Sequence, residues 1–172
     1  MDIKDAIKCR HSVRNFSDKE VSLDLIHEII KLANLAPSAG NLQARDFIIV
    51  DDSEVKERLC LAALNQRFVA EAPFDIVVCA NLNRIASYGR RGVELYCIQG
   101  SAAAVEHILL LAAAEGLGTC WVGAFNENEV AKILNLPGHV RPVAIIPIGY
   151  PRGRVTSTPR INIEKLIHYN RW

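Results

Sequence analysis

The amino-acid sequence predicts one α+β layered domain over residues 1–172, and three features of its apolar pattern carry that expectation. Leu25, Ile26, Ile29, Ile30 and Ala33 recur at helical spacing, as the buried stripe of an amphipathic helix does. Asp75-Ile76-Val77-Val78-Cys79-Ala80 is an almost uninterrupted apolar run, which fits a central strand covered on both faces. From Val93 to Glu115 the chain is apolar nearly all round and rich in small residues, the pattern of a buried helix. Helices and strands are mixed without a strict βαβ rhythm. With 50% apolar residues in 172, the chain can bury a sizeable core without disulfides or metal.

Taken in order, Ile3, Ala6 and Ile7 predict a short amphipathic helix over residues 2–9, ending near Arg10. A second helix opens after Phe16, either from a Ser17/Glu20 capping box or with Ser22 as N-cap, and Pro37 stops it. The loop Pro37-Ser38-Ala39-Gly40-Asn41 leads into a β-branched strand, Phe47–Val50, and Ser53 is expected to cap a helix running to about Leu64. Gly116 and Gly118 end the long helix, and a strand follows at about Thr119–Val122. Asn126 and Glu129 cap a short helix through Leu134, and Val143–Ile148 is the last clear strand. Beyond it, Pro151, Gly153 and Pro159 mark an extended arm before a short helix at Ile163–His168.

Charge and cysteine usage narrow the function classes. The net charge is +1, which argues against a general nucleic-acid binder. Its distribution is uneven: +2 over residues 1–14, +5 over residues 141–172 and −6 between them. Two basic ends brought together would suit one small phosphorylated ligand. No apolar run free of charged or histidine residues reaches the ~18 residues of a membrane span, so no membrane role is expected. The N-terminal MDIKDAIKCRHS carries acids and lacks an apolar signal region, which leads us to expect a cytoplasmic protein. The five cysteines have no metal spacing and read as reduced core thiols.

Several polar constellations could carry chemistry. Arg10, Ser12 and Arg14 alternate beyond a helix end, so in an extended segment they point the same way and could clamp a phosphate. No glycine-rich phosphate cradle is present, so any such clamp is made by side chains. Ser38, Asn41 and Gln43 around the Pro/Gly loop offer neutral donors and acceptors that suit an uncharged heterocycle. Cys120-Trp121-Val122-Gly123 places a glycine at a strand end, where a ligand can approach backbone closely. Glu106 and His107 interrupt the apolar helix without an evident role. No nucleophile motif or metal-ligand spacing is found, so an enzyme built this way needs a cofactor for its chemistry.

Four segments together resemble the nitroreductase family over essentially the whole chain: Arg10-His11-Ser12-Val13-Arg14-Asn15-Phe16, Ala36 to Gln43, Gly116 to Phe125, and Ile148-Gly149-Tyr150-Pro151 with Pro159-Arg160. The resemblance implies a central mixed β-sheet flanked by helices, with an extended C-terminal arm wrapping a homodimer partner. It implies non-covalent FMN, with NADH or NADPH as co-substrate and a small electron acceptor such as a nitro compound, quinone or flavin. By the same resemblance Arg10, Ser12 and Arg160 hold the FMN phosphate, His11 belongs to the cofactor-binding set, and Arg14 reaches towards the flavin. Pro37, Ser38, Ala39, Asn41 and Gln43 line the isoalloxazine, and backbone at Val122 and Gly123 approaches the ring. Chemistry is then carried by FMN, with no protein side chain required as acid or base and no metal. A specialised oxygen-dependent flavin-degrading enzyme and a non-enzymatic flavin-binding module are the alternatives. The chain departs from the family in having Ala44-Arg45 where Pro-Trp is common, and in the short stretch Asn81–Gly92.

Overall fold

The computed structural model describes residues 1–153 and 158–172. The elements in chain order are α1 (Ile3–Cys9), α2 (Leu23–Ala33), β1 (Arg45–Val50), α3 (Ser53–Ala62), α4 (Phe68–Glu71), β2 (Phe74–Asn81), α5 (Leu82–Ile85), α6 (Gly89–Arg91), α7 (Cys97–Ala114), β3 (Gly118–Thr119), α8 (Glu127–Ile133) and β4 (Val140–Gly149). The strands form one sheet of order β1-β2-β4-β3, antiparallel at each ladder. Its parallel component is the bridge between Ser12 and Thr119.

Side chains alternate across β2 because successive residues of a strand point to opposite faces. Phe74, Ile76 and Val78 join Ala144, Ile146 and Ile148 of β4 in a core closed by Ile26, Ile29 and Ala33 of α2 and by Val105, Ile108, Leu109 and Ala112 of α7. On the opposite face Val77, Cys79 and Ile145 pack against Leu59 and Cys60 of α3, Phe68 and Val69 of α4 and Val130 of α8. The result is a helix–sheet–helix sandwich in which the whole of β2 is buried. A bulge at Val78/Cys79 offsets the register of β2 on β4, and Pro142 pairs just beyond it, where a missing N–H is tolerated.

The helix termini follow local chemistry. Ser22 caps α2, its hydroxyl accepting from the Leu25 N–H, and Asn126 caps α8 by accepting from the Glu129 N–H. The cap of α3 is Asp52 rather than Ser53: its carboxylate accepts from the Val55 N–H and leaves Ser53 in the first turn. Helical backbone before α7 begins earlier than the apolar pattern suggests, because Asn81 caps α5 and a π-helical segment at Gly92–Tyr96 feeds into α7. Leu82–Ala114 is thereby long and apolar enough to cross a membrane, with mean hydropathy 1.5 over its best window. Glu106 and His107 break the apolar run without lowering that mean below a spanning value. With 44% of the window buried inside the protein, this is the position of a core helix. Of the cysteines, Cys60, Cys79, Cys97 and Cys120 are buried, whereas Cys9 lies exposed at the end of α1. The arm's last helix shrinks to one 3-10 turn, Ile163–Lys165.

One carboxylate lies within this core. Asp75 is fully buried on β2, and neither carboxylate oxygen has a hydrogen-bond partner among the described residues. Burial pushes its pKa well above the ordinary carboxylate range, and the nearby charge of Lys56 offsets this only in part. The Lys56 ammonium donates to the carbonyls of Ala72 and Pro73, at 2.7 and 3.3 Å. The folded protein therefore holds the Asp75 proton at a pH where the unfolded chain, with a carboxyl pKa near 3.9, has released it. Stability linked to Asp75 is complete below about pH 3.9 and falls as the pH rises towards the folded pKa, by at most about 1.4 kcal/mol per pH unit. Asp75→Asn should remove this slope. Denaturant titrations at pH 4, 5.5 and 7 should show the variant gaining on the parent as pH rises; a constant difference would show that Asp75 does not titrate on unfolding.

Candidate functional site

Two polar clusters form at opposite ends of α7. The first is built where the chain leaves α1. Arg10 turns the backbone extended (φ −64°, ψ 117°), and the following segment docks on the sheet: the Val13 N–H donates to the Thr119 carbonyl and the Ser17 N–H to that of Tyr150, both at 2.8 Å. Val13 points inward, buried at 7% exposure, so its neighbours Ser12 and Arg14 point outward. This inward seat exists because residue 118 is glycine; a Cβ there would lie 2.6 Å from a Val13 methyl. The Arg14 guanidinium lies 5.7 Å from the Phe68 ring centroid. The Ser12 hydroxyl and the Arg14 charge both act on the Cys120 thiol, whose pKa burial nevertheless raises. Beside them Arg10 and His11 line a cavity of about 240 Å³ with Gly116, Leu117, Gly118, Thr119 and others.

Val122 exchanges backbone hydrogen bonds with Ile145 at 2.9 and 3.0 Å, which fixes the strand before Gly123. At Gly123 nothing lies within 4 Å of where a Cβ would stand, so the backbone there is open to approach. Trp121 remains 41% exposed. Arg10, His11, Ser12 and Arg14 thus lie along the same edge of the sheet as Val122 and Gly123.

The second cluster is the loop from Pro37 to Gln43. Gly40, Asn41 and Gln43 all adopt left-handed conformations, with φ of 56°, 55° and 47°. At Gly40 a Cβ would lie 2.5 Å from the Tyr88 hydroxyl, the far end of an exposed side chain that would have to shift, and the left-handed backbone favours glycine. Ser38 Oγ accepts from the Gln43 N–H at 2.9 Å, and Gln43 Nε2 donates to the Asn41 carbonyl at 2.8 Å. Pro37 and Asn41 are exposed and Ser38, Ala39 and Gln43 half-buried. Gly100 of α7 faces Ser38 of this loop, where a Cβ on residue 100 would stand 3.6 Å from the serine Cβ. The small patch at Gly100–Ala104 is thus used in part within the chain: Ser101 and Ala104 are fully buried.

Two arginines hold this loop, and neither is among the residues the sequence singles out as ligands. Arg45 is 3% exposed and uses every N–H of its guanidinium. It donates to Asn34 Oδ1 (3.0 Å) and to the carbonyls of Asn34 (2.8 Å), Ala36 (2.6 Å), Pro37 (3.4 Å) and Gly100 (2.8 Å). Burial lowers its pKa, yet an arginine keeps its proton in a protein. Arg84 donates to the carbonyls of Gln43 (3.2 Å) and Arg45 (2.7 Å) and pairs with Asp46 at 2.7 Å. The charged residue at the head of an apolar strand is the sequence signal for Arg45, but its partners lie up to 55 positions away.

The clusters are well separated. Gly100 touches the loop and Ala113 lines the cavity at the basic cluster, a distance of about 20 Å along the helix at 1.5 Å per residue. The structure brings Arg160 to neither cluster: its guanidinium donates to Thr158 Oγ1 at 2.9 Å, and residues 158–172 are exposed throughout. The part of the arm at 154–157, which includes Arg154, lies outside the described residues. Glu106 is exposed and His107 half-buried, lining an apolar groove of about 390 Å³ between α1, α2 and α7.

Comparison with known proteins gives a consistent picture. The model of the nitroreductase family matches residues 7–66 and 60–150. An NADH dehydrogenase of Thermus thermophilus is 30% identical, covering 97% of this chain and 95% of its own length. An FMN reductase [NAD(P)H] of Bacillus subtilis is 32% identical over 91% of this chain and 69% of its own. The solved structure of Bacillus megaterium NfrA2 superposes with a TM-score of 0.92 at 27% identity, covering all of this chain (100%) and 76% of that one. With the family model spanning most of the chain and the sheet, loop and basic edge arranged as described, this protein belongs to the nitroreductase family.

Proposed function

We propose that the protein is an NAD(P)H-dependent oxidoreductase that holds FMN in a site shared by two copies of the chain and reduces a small electron acceptor. The observation that carries this reading is the pair of chemically matched clusters: a basic edge suited to a phosphate and an amide loop suited to a neutral heterocycle. Relatives named as an FMN reductase and as an oxygen-insensitive NADPH nitroreductase support the flavin and the nicotinamide donor.

The residues present fit such a cofactor. Arg10 and Arg14 make no ion pair with a carboxylate among the described residues, so their charge is available to an anion. Arg10 and Ser12 would hold the phosphate, with His11 beside them and Arg160 added from an arm, and Arg14 would reach towards the flavin. Pro37, Ser38, Ala39, Asn41 and Gln43 would line the isoalloxazine, and the open backbone at Val122 and Gly123 would lie against it. When bound, FMN supplies the redox chemistry between nicotinamide and acceptor. The chain's contribution is to orient the ring with fixed amide donors, to neutralise the phosphate and to limit water at the ring. None of these roles requires a protein acid or base. If nicotinamide and acceptor occupy the same exposed face in turn, steady-state kinetics should give parallel double-reciprocal lines; intersecting lines would mean a ternary complex.

A separation of about 20 Å between the basic edge and the loop favours a site completed by a second copy, each chain giving its edge to one site and its loop to the other. The exposed arm fits the same arrangement, since Ile161, Leu166 and Trp172 are 68%, 57% and 101% exposed in the single chain.

Fluorescence titration should show tight, stoichiometric FMN binding, and Arg10→Ala and Arg160→Ala should each weaken it by about 10- to 150-fold, the range for one charge-assisted hydrogen bond. A protein that does not quench FMN fluorescence would refute the cofactor assignment. The shared site makes a separate prediction about mixtures. Subunit exchange between Arg10→Ala and an Asn41→Leu loop variant should restore parental FMN affinity at one site per mixed dimer. Sites contained within single chains would show no restoration. A chain ending at Tyr150 should lose both dimerisation and FMN, read by light scattering and absorbance; a yellow, dimeric truncation would exclude the arm from the site.

A further inference from the structure

The hydrogen bonds around the amide loop have a direction as well as a geometry. A side-chain amide can present either its oxygen or its nitrogen, whereas a guanidinium can only donate. Arg45 Nε donates to Asn34 Oδ1 at 3.0 Å, which turns the Asn34 nitrogen away from the arginine. That nitrogen faces Gln43 Oε1 at 3.5 Å, and Gln43 Nε2 in turn donates to the Asn41 carbonyl at 2.8 Å and approaches Asn41 Oδ1 at 3.4 Å. Reversing the Gln43 amide would set two carbonyl oxygens against each other at Asn41 and two nitrogens against each other at Asn34. The donor-only arginine therefore fixes the sense of Asn34, and Gln43 is set from both sides, by the Asn34 nitrogen and by the Asn41 main-chain carbonyl. With Asn41 Oδ1 turned towards Gln43, the Asn41 nitrogen points away from the loop and has no partner among the described residues.

We propose that Arg45 and Asn34 are positioning residues for flavin binding: through the Asn34–Gln43 relay they orient the loop amides so that Asn41 offers N–H, not C=O, to the acceptor edge of the isoalloxazine. The inference rests on the flavin reading above and adds to it residues that touch no ligand. It also gives a role to the Ala44-Arg45 pair that stands where the family commonly has Pro-Trp. Arg45 closes the loop against α7 by hydrogen bonds, through the Gly100 carbonyl, and its N–H groups are all taken up by protein acceptors.

Asn34→Asp separates direction from anchoring. The carboxylate still accepts from Arg45, so the anchor is kept or strengthened, but it cannot donate to Gln43 and opposes Gln43 Oε1. We expect an unchanged thermal midpoint, FMN affinity about three- to tenfold weaker, the worth of one or two neutral hydrogen bonds, and a lower flavin reduction potential from the lost donor. Parental FMN affinity and potential in Asn34→Asp would overturn the proposal. Arg45→Lys keeps the charge but not the fork, and is expected to lose FMN affinity by at least the same factor; retention of parental affinity would also overturn it. Should Arg45→Lys fail to fold, Asn34→Asp decides alone. The parent is titrated first, since its failure to bind FMN refutes the flavin reading and not the relay. The relay itself is read in the ligand-free protein by the side-chain NH₂ resonances of Asn34 and Gln43. Slow exchange of both in the parent, with the Gln43 pair shifted in Asn34→Asp, is expected; averaged, fast-exchanging Gln43 protons in the parent would overturn it.

Discussion

Burial of β2 on both faces is the constraint on which the rest of the structure depends. A strand with no solvent-facing side chain must be covered twice, so the chain supplies α2 and α7 on one side and α3, α4 and α8 on the other. Covering the sheet demands a long helix, and α7 runs from the loop at Ser38 to the turn at Gly116. Its length fixes how far apart the two polar clusters lie. The separation that points to a two-chain site is therefore a by-product of closing one face of the core, with no feature of either cluster needed to produce it.

The loop at the near end of α7 holds left-handed residues that would be costly on their own. Asn41 and Gln43 each have positive φ, a conformation that asparagine tolerates but that costs a residue such as Gln43 about 1–2 kcal/mol. Holding it requires the surrounding bonds to outweigh that cost. The turn that follows α2 presents the carbonyls of Asn34, Ala36 and Pro37, which lie past the last helical hydrogen bond and so take their donors from elsewhere. An apolar side chain at position 45 would bury them unpaired, at about 1–3 kcal/mol for each group. A guanidinium meets all three and reaches Gly100 as well, and a cation near a helix C-terminus is favoured by the helix dipole. This explains how a charge can sit at 3% exposure with only neutral partners.

What the sequence made legible follows the range of the interactions involved. Periodicity and capping are local, so α1, α2, β2 and the Asn126 cap of α8 could be read from short windows, as could the outward alternation of Ser12 and Arg14. Where two adjacent residues compete for one role, local reading fails: Asp52 and Ser53 are both good caps, and the carboxylate took the position. The start of the long helix was missed because α5 and α6 carry charged residues and are helical through capping by Asn81 and continuity with α7, not through an apolar stripe. Arg45 could be noticed as an oddity but not explained, because the carbonyls it binds come from two elements far apart in the chain. Asp75 gave no signal at all. Its one polar side chain in an apolar run is consistent with a strand end, and only the packing of α3 and α4 shows it enclosed.

The arm extends this reasoning to association. Ile161, Ile163, Leu166, Ile167, Tyr169 and Trp172 are between 47% and 101% exposed, and the groove between α1, α2 and α7 is lined by Leu32, Leu35, Leu110 and Leu111. Apolar side chains contribute about 25 cal/mol for each Å² removed from water, so both surfaces favour a covering that the single chain does not supply. Isolated exposed side chains are ordinary in a folded protein, but an arm with this many large ones in sequence is not. The proposed dimer accounts for both surfaces and for the incomplete clusters by one event: the association that buries apolar area also brings a basic edge to an amide loop. Cofactor binding and dimer stability are then linked, because a ligand that bridges two chains favours the state in which both are present.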